Sequence, residues 1–115
     1  KAARIGALIQ TTFGKAYRSG VKIAFGTDQG VGPHGDNASE FIYMVEAGMP
    51  AAFALQSANL NAASVLGVDD QGVIEAGKRA DIIALPGDPV ADISNVMKVD
   101  FVMKDGVVYR QPIAE

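Results

Sequence analysis

Cysteine is absent from the 115 residues, which excludes disulfides, thiolate zinc sites and a cysteine nucleophile while leaving the compartment open. Histidine occurs once, at His34. A Ser-His-Asp triad is therefore not expected, and a histidine cage for a metal cannot be assembled from this chain alone. No apolar run approaches the ~18 residues needed to cross a bilayer, and no signal peptide is visible. There is no basic block and the net charge is −3, so neither nucleic acid nor an anionic membrane is an expected partner. The first residue is Lys1 and not Met, and we expect the native start to lie further upstream; a cytoplasmic and an exported protein are equally compatible with this. What is present is 49% hydrophobic and 20% charged residues, the balance of a soluble globular chain with enough length for a core.

The informative stretch is Val21–Asp28, followed by the loop Gln29–Asp36. A short run rich in β-branched and aromatic residues ends in Gly26-Thr27-Asp28, and a Gly/Pro-rich loop leads on to a helix start. This is the pattern of a βα unit that delivers a carboxylate to the C-terminal end of its strand, where α/β folds do their chemistry. Alternation puts Val21, Ile23, Phe25 and Thr27 on one bulky face, and Lys22, Ala24, Gly26 and Asp28 on a small one. A strand of this kind is buried on both faces and needs neighbours at both edges. The chain offers none nearby.

Around that stretch, spacing predicts a helix over 1–19 with Ile5, Leu8, Ile9, Thr12, Phe13, Ala16 and Tyr17 on its apolar stripe and Gly20 as its stop. Asp36 or Asn37 is expected to cap a second helix, with Asn37-x-x-Glu40 as a capping box and Ala38, Phe41, Ile42, Val45 and Met49 as its inner face. Ala51–Ala58 reads as a well-buried short helix, with Phe41, Phe53, Met44 and Met49 in the core. Asn61 is expected to cap a last helix, Ala62–Leu66, ended by Gly67. From Val68 the pattern turns to strands: Gly72–Ile74, Asp81–Leu85, Val99–Met103 and Val107–Tyr109, the last two flanking the hairpin signal Asp105-Gly106.

Gly26-Thr27-Asp28 followed by Pro33-His34-Gly35-x-Asn37-x-x-Glu40 resembles the C-terminal part of metal-dependent amidohydrolases, in particular imidazolonepropionase-like and prolidase- or arginine-carboxypeptidase-like members. The likeness continues in order through Glu46-Ala47-Gly48-Met49, Ser57–Ala63, Leu66-Gly67, Gly72-x-Ile74-x-x-Gly77-Lys78-x-Ala80-Asp81, Gly87-Asp88-Pro89 and Val102–Gly106. The resemblance implies an α/β architecture: residues 1–67 as the closing segment of a (β/α)8 TIM-type barrel, and 68–115 as the C-terminal strands of a small β-sandwich. A whole barrel needs roughly 250 residues, so the expectation is the closing third of a hydrolase, inactive alone. The missing N-terminal barrel portion, or another copy of the chain, would be its partner, and a homo-oligomer is compatible.

The resemblance also implies roles. Asp28 would bind a divalent metal, zinc in one or two ions, with most ligands outside this chain, and would act as catalytic base. From its own place in the loop over the site's mouth, His34 is read as a contact to a small amide or dipeptide-like substrate. Read from the local residues alone, Asp28 serves equally well as the cap of a turn, and His34 as a loop histidine bonded to backbone. Asn37 and Glu40 are read as helix-cap residues, and Asp81 and Asp88 as structural. The loop glycines match neither phosphate-binding pattern and suit a flexible lid. A competing function, from another class, is a non-catalytic α/β interaction module that pairs with a partner chain through the open edges of residues 21–25.

Overall fold

In the computed structural model, which describes residues 2–113, the helical half precedes the sheet. Helix α1 spans Ala2–Arg18, and Gly20 ends it at φ +81. The Gly20 N–H donates to the Tyr17 carbonyl at 3.0 Å and the Val21 N–H to the Ala16 carbonyl at 3.1 Å, the paired bonds of a left-handed helix stop. Gly14, an oddity for a helix centre, is explained by contact: a Cβ there would lie 2.5 Å from the Ala47 carbonyl oxygen. The expected stripe is covered only in its C-terminal half. Phe13 and Tyr17 pack on the core, whereas Ile5, Leu8 and Ile9 remain more than half exposed.

A 3₁₀ turn, Asp36–Ala38, leads into α2 (Ser39–Glu46). This corrects the expected capping box: neither Asp36 nor Asn37 makes a side-chain cap bond at the start of the turn or of α2. The Asp36 and Ala38 N–H groups donate instead to the Pro33 and Gly35 carbonyls, so the tight turn meets those backbone donors itself. Helix α3 (Ala51–Gln56) runs through a π turn, Ser57–Asn61, into α4 (Ala62–Leu66). Two more expectations are corrected here. The short helix is buried on one side only, since Ala54 is fully covered while Phe53 is 53% exposed; Phe53 is not a core residue. Asn61 lies within the helical run and makes no cap bond, because its amide is engaged elsewhere.

That engagement concerns Val21–Asp28. The segment is extended, yet among the described residues no strand pairs with it. It is tied down by the π turn instead. The Phe25 N–H donates to the Ser57 carbonyl at 3.0 Å, and Asn61 Nδ2 donates to the Ile23 carbonyl at 2.8 Å. Ile23 and Phe25 pack on the buried cluster Met44, Met49 and Ala54, with Phe25 stacked on Phe41 at 4.3 Å. Thr27 is half-buried, while Lys22, Ala24, Gly26 and Asp28 are all exposed. The expected alternation is present, except that Val21 is also exposed.

The sheet is three-stranded and antiparallel, in the order β1 (Ile82–Ala84), β2 (Phe101–Lys104), β3 (Val107–Arg110). Asp105 and Gly106 turn β2 into β3 with positive φ at both residues, 51° and 79°, the conformation this dipeptide favours. A register shift falls between Val102 and Met103. The expected strand Gly72–Ile74 does not form. Gly72 sits at φ +86, and a Cβ on it would lie 2.8 Å from the Asn59 carbonyl oxygen, so the chain bends there to pack on the helical run. Between β1 and β2 lies an unanticipated 3₁₀ helix, Ile93–Lys98, capped by Asp92 through the Ser94 N–H. Its Ile93 and Val96 are buried.

Two acidic residues read as structural hold turns together. Asp88 accepts from the Val90 N–H at 2.8 Å. Asp81 accepts from the Asp105 N–H at 2.8 Å and from Lys104 Nζ at 2.9 Å, fastening the hairpin turn to the residue before β1. The radius of gyration is 15.4 Å, against about 13 Å for a self-contained domain of this length. The sheet leaves Ile83, Val107 and Tyr109 more than half exposed. Much apolar surface is therefore uncovered.

Two consequences can be measured. Replacing Asn61 with Ala strands the half-buried Ile23 carbonyl and should lower stability by about 1–2 kcal/mol in denaturant titrations; an unchanged midpoint would remove the tie. The Asp105 N–H, and then Lys104, hold the Asp81 carboxyl below its ordinary value. A depressed folded-state value means the native chain binds fewer protons, so this contribution is present above about pH 4 and fades as pH falls through the folded value. Asp81→Ala should thus melt below the parent at pH 7, with the gap narrowing at pH 3.

Candidate active site

Asp28 stands at the end of the tethered segment, where the chain leaves the helical body. Ile23, Phe25 and Thr27 face inward, and Asp28 is exposed, as are Ala24 and Gly26 on the uncovered side of the segment. Its backbone is left-handed, φ +49, a conformation Asp tolerates better than most residues but which still stores about 1 kcal/mol or more. Such a bend allows the chain to leave the extended line at once. Unlike Asp88 and Asp92, whose carboxylates accept N–H groups of their own turns, Asp28 shows no hydrogen bond or ion pair to its carboxylate among the described residues. The turn-cap reading of Asp28 therefore lacks the bond that defines it.

The loop that follows is closed on itself. Gln29 Nε2 donates to the Pro33 carbonyl at 3.1 Å, and the Asp36 N–H reaches the same oxygen at 3.3 Å. His34 comes next in the chain and is exposed. No hydrogen bond joins it to Asp28 among the described residues, so the two share one loop without forming a pair. A shallow groove of about 280 Å³ runs beside the loop between Thr27, Gln29, Asp36, Asn37, Glu40 and Tyr43. Neither Asp28 nor His34 lines it. A larger hollow of about 470 Å³ lies between α1 and α2, bounded by Gly6, Phe13, Tyr43 and Met44; in its mostly apolar lining Glu40 and Tyr43 are the groups able to exchange a proton.

As a donor for a metal, the chain contributes sparingly. Among the described residues no group of three His, Cys, Asp or Glu side chains converges. The Asp28 carboxylate, exposed at the segment's end and without a partner among the described residues, suits a single ligand position, with the other ligands drawn from elsewhere. Three residues that shape the site were not anticipated: Asn61 and Ser57, which anchor the segment, and Gln29, which closes the loop. All three act through backbone atoms distant in sequence or across a loop, and no short motif marks such bonds.

The chain matches the family model described as the amidohydrolase family over residues 10–109. Among solved structures, a Xaa-Pro dipeptidase with bound methionine in its active site is 55% identical with a TM-score of 0.90, covering 95% of this chain and 27% of its own. A prolidase complexed with N-methylphosphonate-L-proline is 29% identical, with a TM-score of 0.80 and coverage of 90% and 26%. An ochratoxinase from A. niger is 32% identical, with a TM-score of 0.78 and coverage of 90% and 25%. This chain thus spans about a quarter of the length of these relatives. No curated protein sequence matches it. Its sequence order from Gly26 to Gly106 and its likeness to these enzymes place it in one group: the chain belongs to the amidohydrolase family.

Proposed function

We propose that this chain is the closing part of a metal-dependent hydrolase that cleaves an amide or peptide bond in a small, dipeptide-like substrate. The observation that carries the reading is Asp28: a carboxylate unengaged among the described residues, at the tip of a helix-buttressed extended segment, in a chain 55% identical to a Xaa-Pro dipeptidase. On this reading residues 1–67 complete a (β/α)8 barrel and 68–115 complete a small β-sandwich. The Lys22 and Ala24 backbone groups support it: they have no partner among the described residues and suit a neighbouring barrel strand. The exposed Ile83, Val107 and Tyr109 suit a second sheet packed on the first.

Asp28 would be one ligand of the metal, zinc being the ion that suits nitrogen and carboxylate donors in a hydrolytic site. When bound, such an ion lowers the pKa of its water towards ~7. The chain's own chemistry then falls to Asp28 and His34. An Asp28 carboxylate oxygen accepts the proton from the attacking water and delivers it to the departing amine nitrogen. His34, carried over the mouth by its loop, contacts the substrate through an imidazole N–H. Asp28 suits its task because a short side chain set on a buttressed segment has few orientations to lose.

The unpaired Lys22 and Ala24 backbone groups also favour a second reading, a non-catalytic module that pairs with a partner chain. One experiment separates the two. The full-length protein carrying this chain should hydrolyse a Xaa-Pro dipeptide and contain zinc, and Asp28→Asn should lower kcat at least about a hundredfold. Retention of kcat within a few-fold would overturn the assignment of Asp28. An intact protein with neither zinc nor hydrolysis would favour the pairing module.

A further inference from the structure

The loop between Asp28 and Asp36 has no regular structure, yet one atom organises it. The Pro33 carbonyl oxygen accepts both the Gln29 side-chain amide, at 3.1 Å, and the Asp36 backbone N–H, at 3.3 Å. It therefore joins the first residue of the loop to the turn that opens α2. Gly32 lies beneath this bond. A Cβ on residue 32 would sit 2.5 Å from Gln29 Nε2, so the Gln29 amide fills the space a side chain there would need. The His34 ring is exposed, and where it reaches is set by the backbone of residues 33–35.

We propose that Gln29 is a positioning residue, whose bond to the Pro33 carbonyl holds loop 29–35 in the shape that presents His34 to substrate. This rests on the reading of His34 as a substrate contact. Without the bond, a loop containing Gly30, Gly32 and Gly35 has many shapes open to it. Substrate would then have to order the loop as it bound. Affinity falls, while proton transfer at Asp28 is untouched.

The test uses the full-length enzyme with its metal and the dipeptide Met-Pro. Gln29→Ala removes the amide, Gln29→Glu keeps its size but offers no N–H at neutral pH, and Gly32→Ala displaces it. All three should speed exchange of the Asp36 amide, the N–H that shares the Pro33 carbonyl with Gln29, and raise KM about fivefold, with kcat nearly unchanged. His34→Ala should raise KM with exchange unaltered. Unchanged exchange in the Gln29 variants overturns the proposal. Faster exchange with an unaltered KM, where His34→Ala does raise KM, also overturns it and leaves the role of His34 standing. A His34→Ala enzyme with an unaltered KM removes that role, and the proposal falls with it.

Discussion

Two hydrogen bonds hold an extended segment to a helical body, and the placement of Asp28 follows from them. The Phe25 N–H meets the Ser57 carbonyl and the Asn61 amide meets the Ile23 carbonyl. Each is worth about 0.5–1.5 kcal/mol net, and the burial of Ile23 and Phe25 on Met44, Met49 and Ala54 adds to them. The geometric consequence exceeds the energetic one. Side chains of extended backbone alternate, so fixing residues 23 and 25 inward obliges residues 24 and 26 outward, and Asp28, where the backbone turns left-handed, is exposed just beyond them. A carboxylate so placed is neither neutralised by a partner within the described residues nor buried where it would have to be.

Features governed by local chemistry were legible in the sequence. Gly20 and Gly67 stop their helices where a residue with positive φ was needed. Asp105-Gly106 makes the hairpin, and the inward and outward faces of residues 23–28 follow their apolar and small side chains. What failed depends on neighbours distant in sequence. Asn61 has the composition of a cap, but the Ile23 carbonyl, 38 residues away, claims its amide. The capping box at Asn37 lost to a 3₁₀ turn that supplies its own backbone acceptors. Gly72–Ile74 looks like a strand until Gly72 is seen pressed on Asn59, and Phe53 has a core residue's chemistry without a wall to pack on.

The same limit governs the site. Asp28 could be singled out because a strand-end carboxylate before a glycine-rich loop is a local pattern. Gln29 could not, since nothing in Gln-Gly-Val-Gly-Pro announces a bond from residue 29 to the carbonyl of residue 33. The uncovered surfaces tell a consistent story with the family. The outer half of the α1 stripe, the Lys22 and Ala24 edge of residues 21–25 and one side of the sheet all lie open. Relatives about four times as long carry further chain that a fold of this kind can use to cover them.

The account stands on the outward-facing carboxylate, and the most direct measurement is anomalous diffraction at the zinc edge from crystals of the full-length protein. It predicts a zinc peak with an Asp28 carboxylate oxygen about 2.0–2.2 Å away, and a neighbouring strand paired to the Lys22 and Ala24 backbone groups. A zinc peak remote from Asp28, with that side chain folded into a solvent-facing turn, would contradict it.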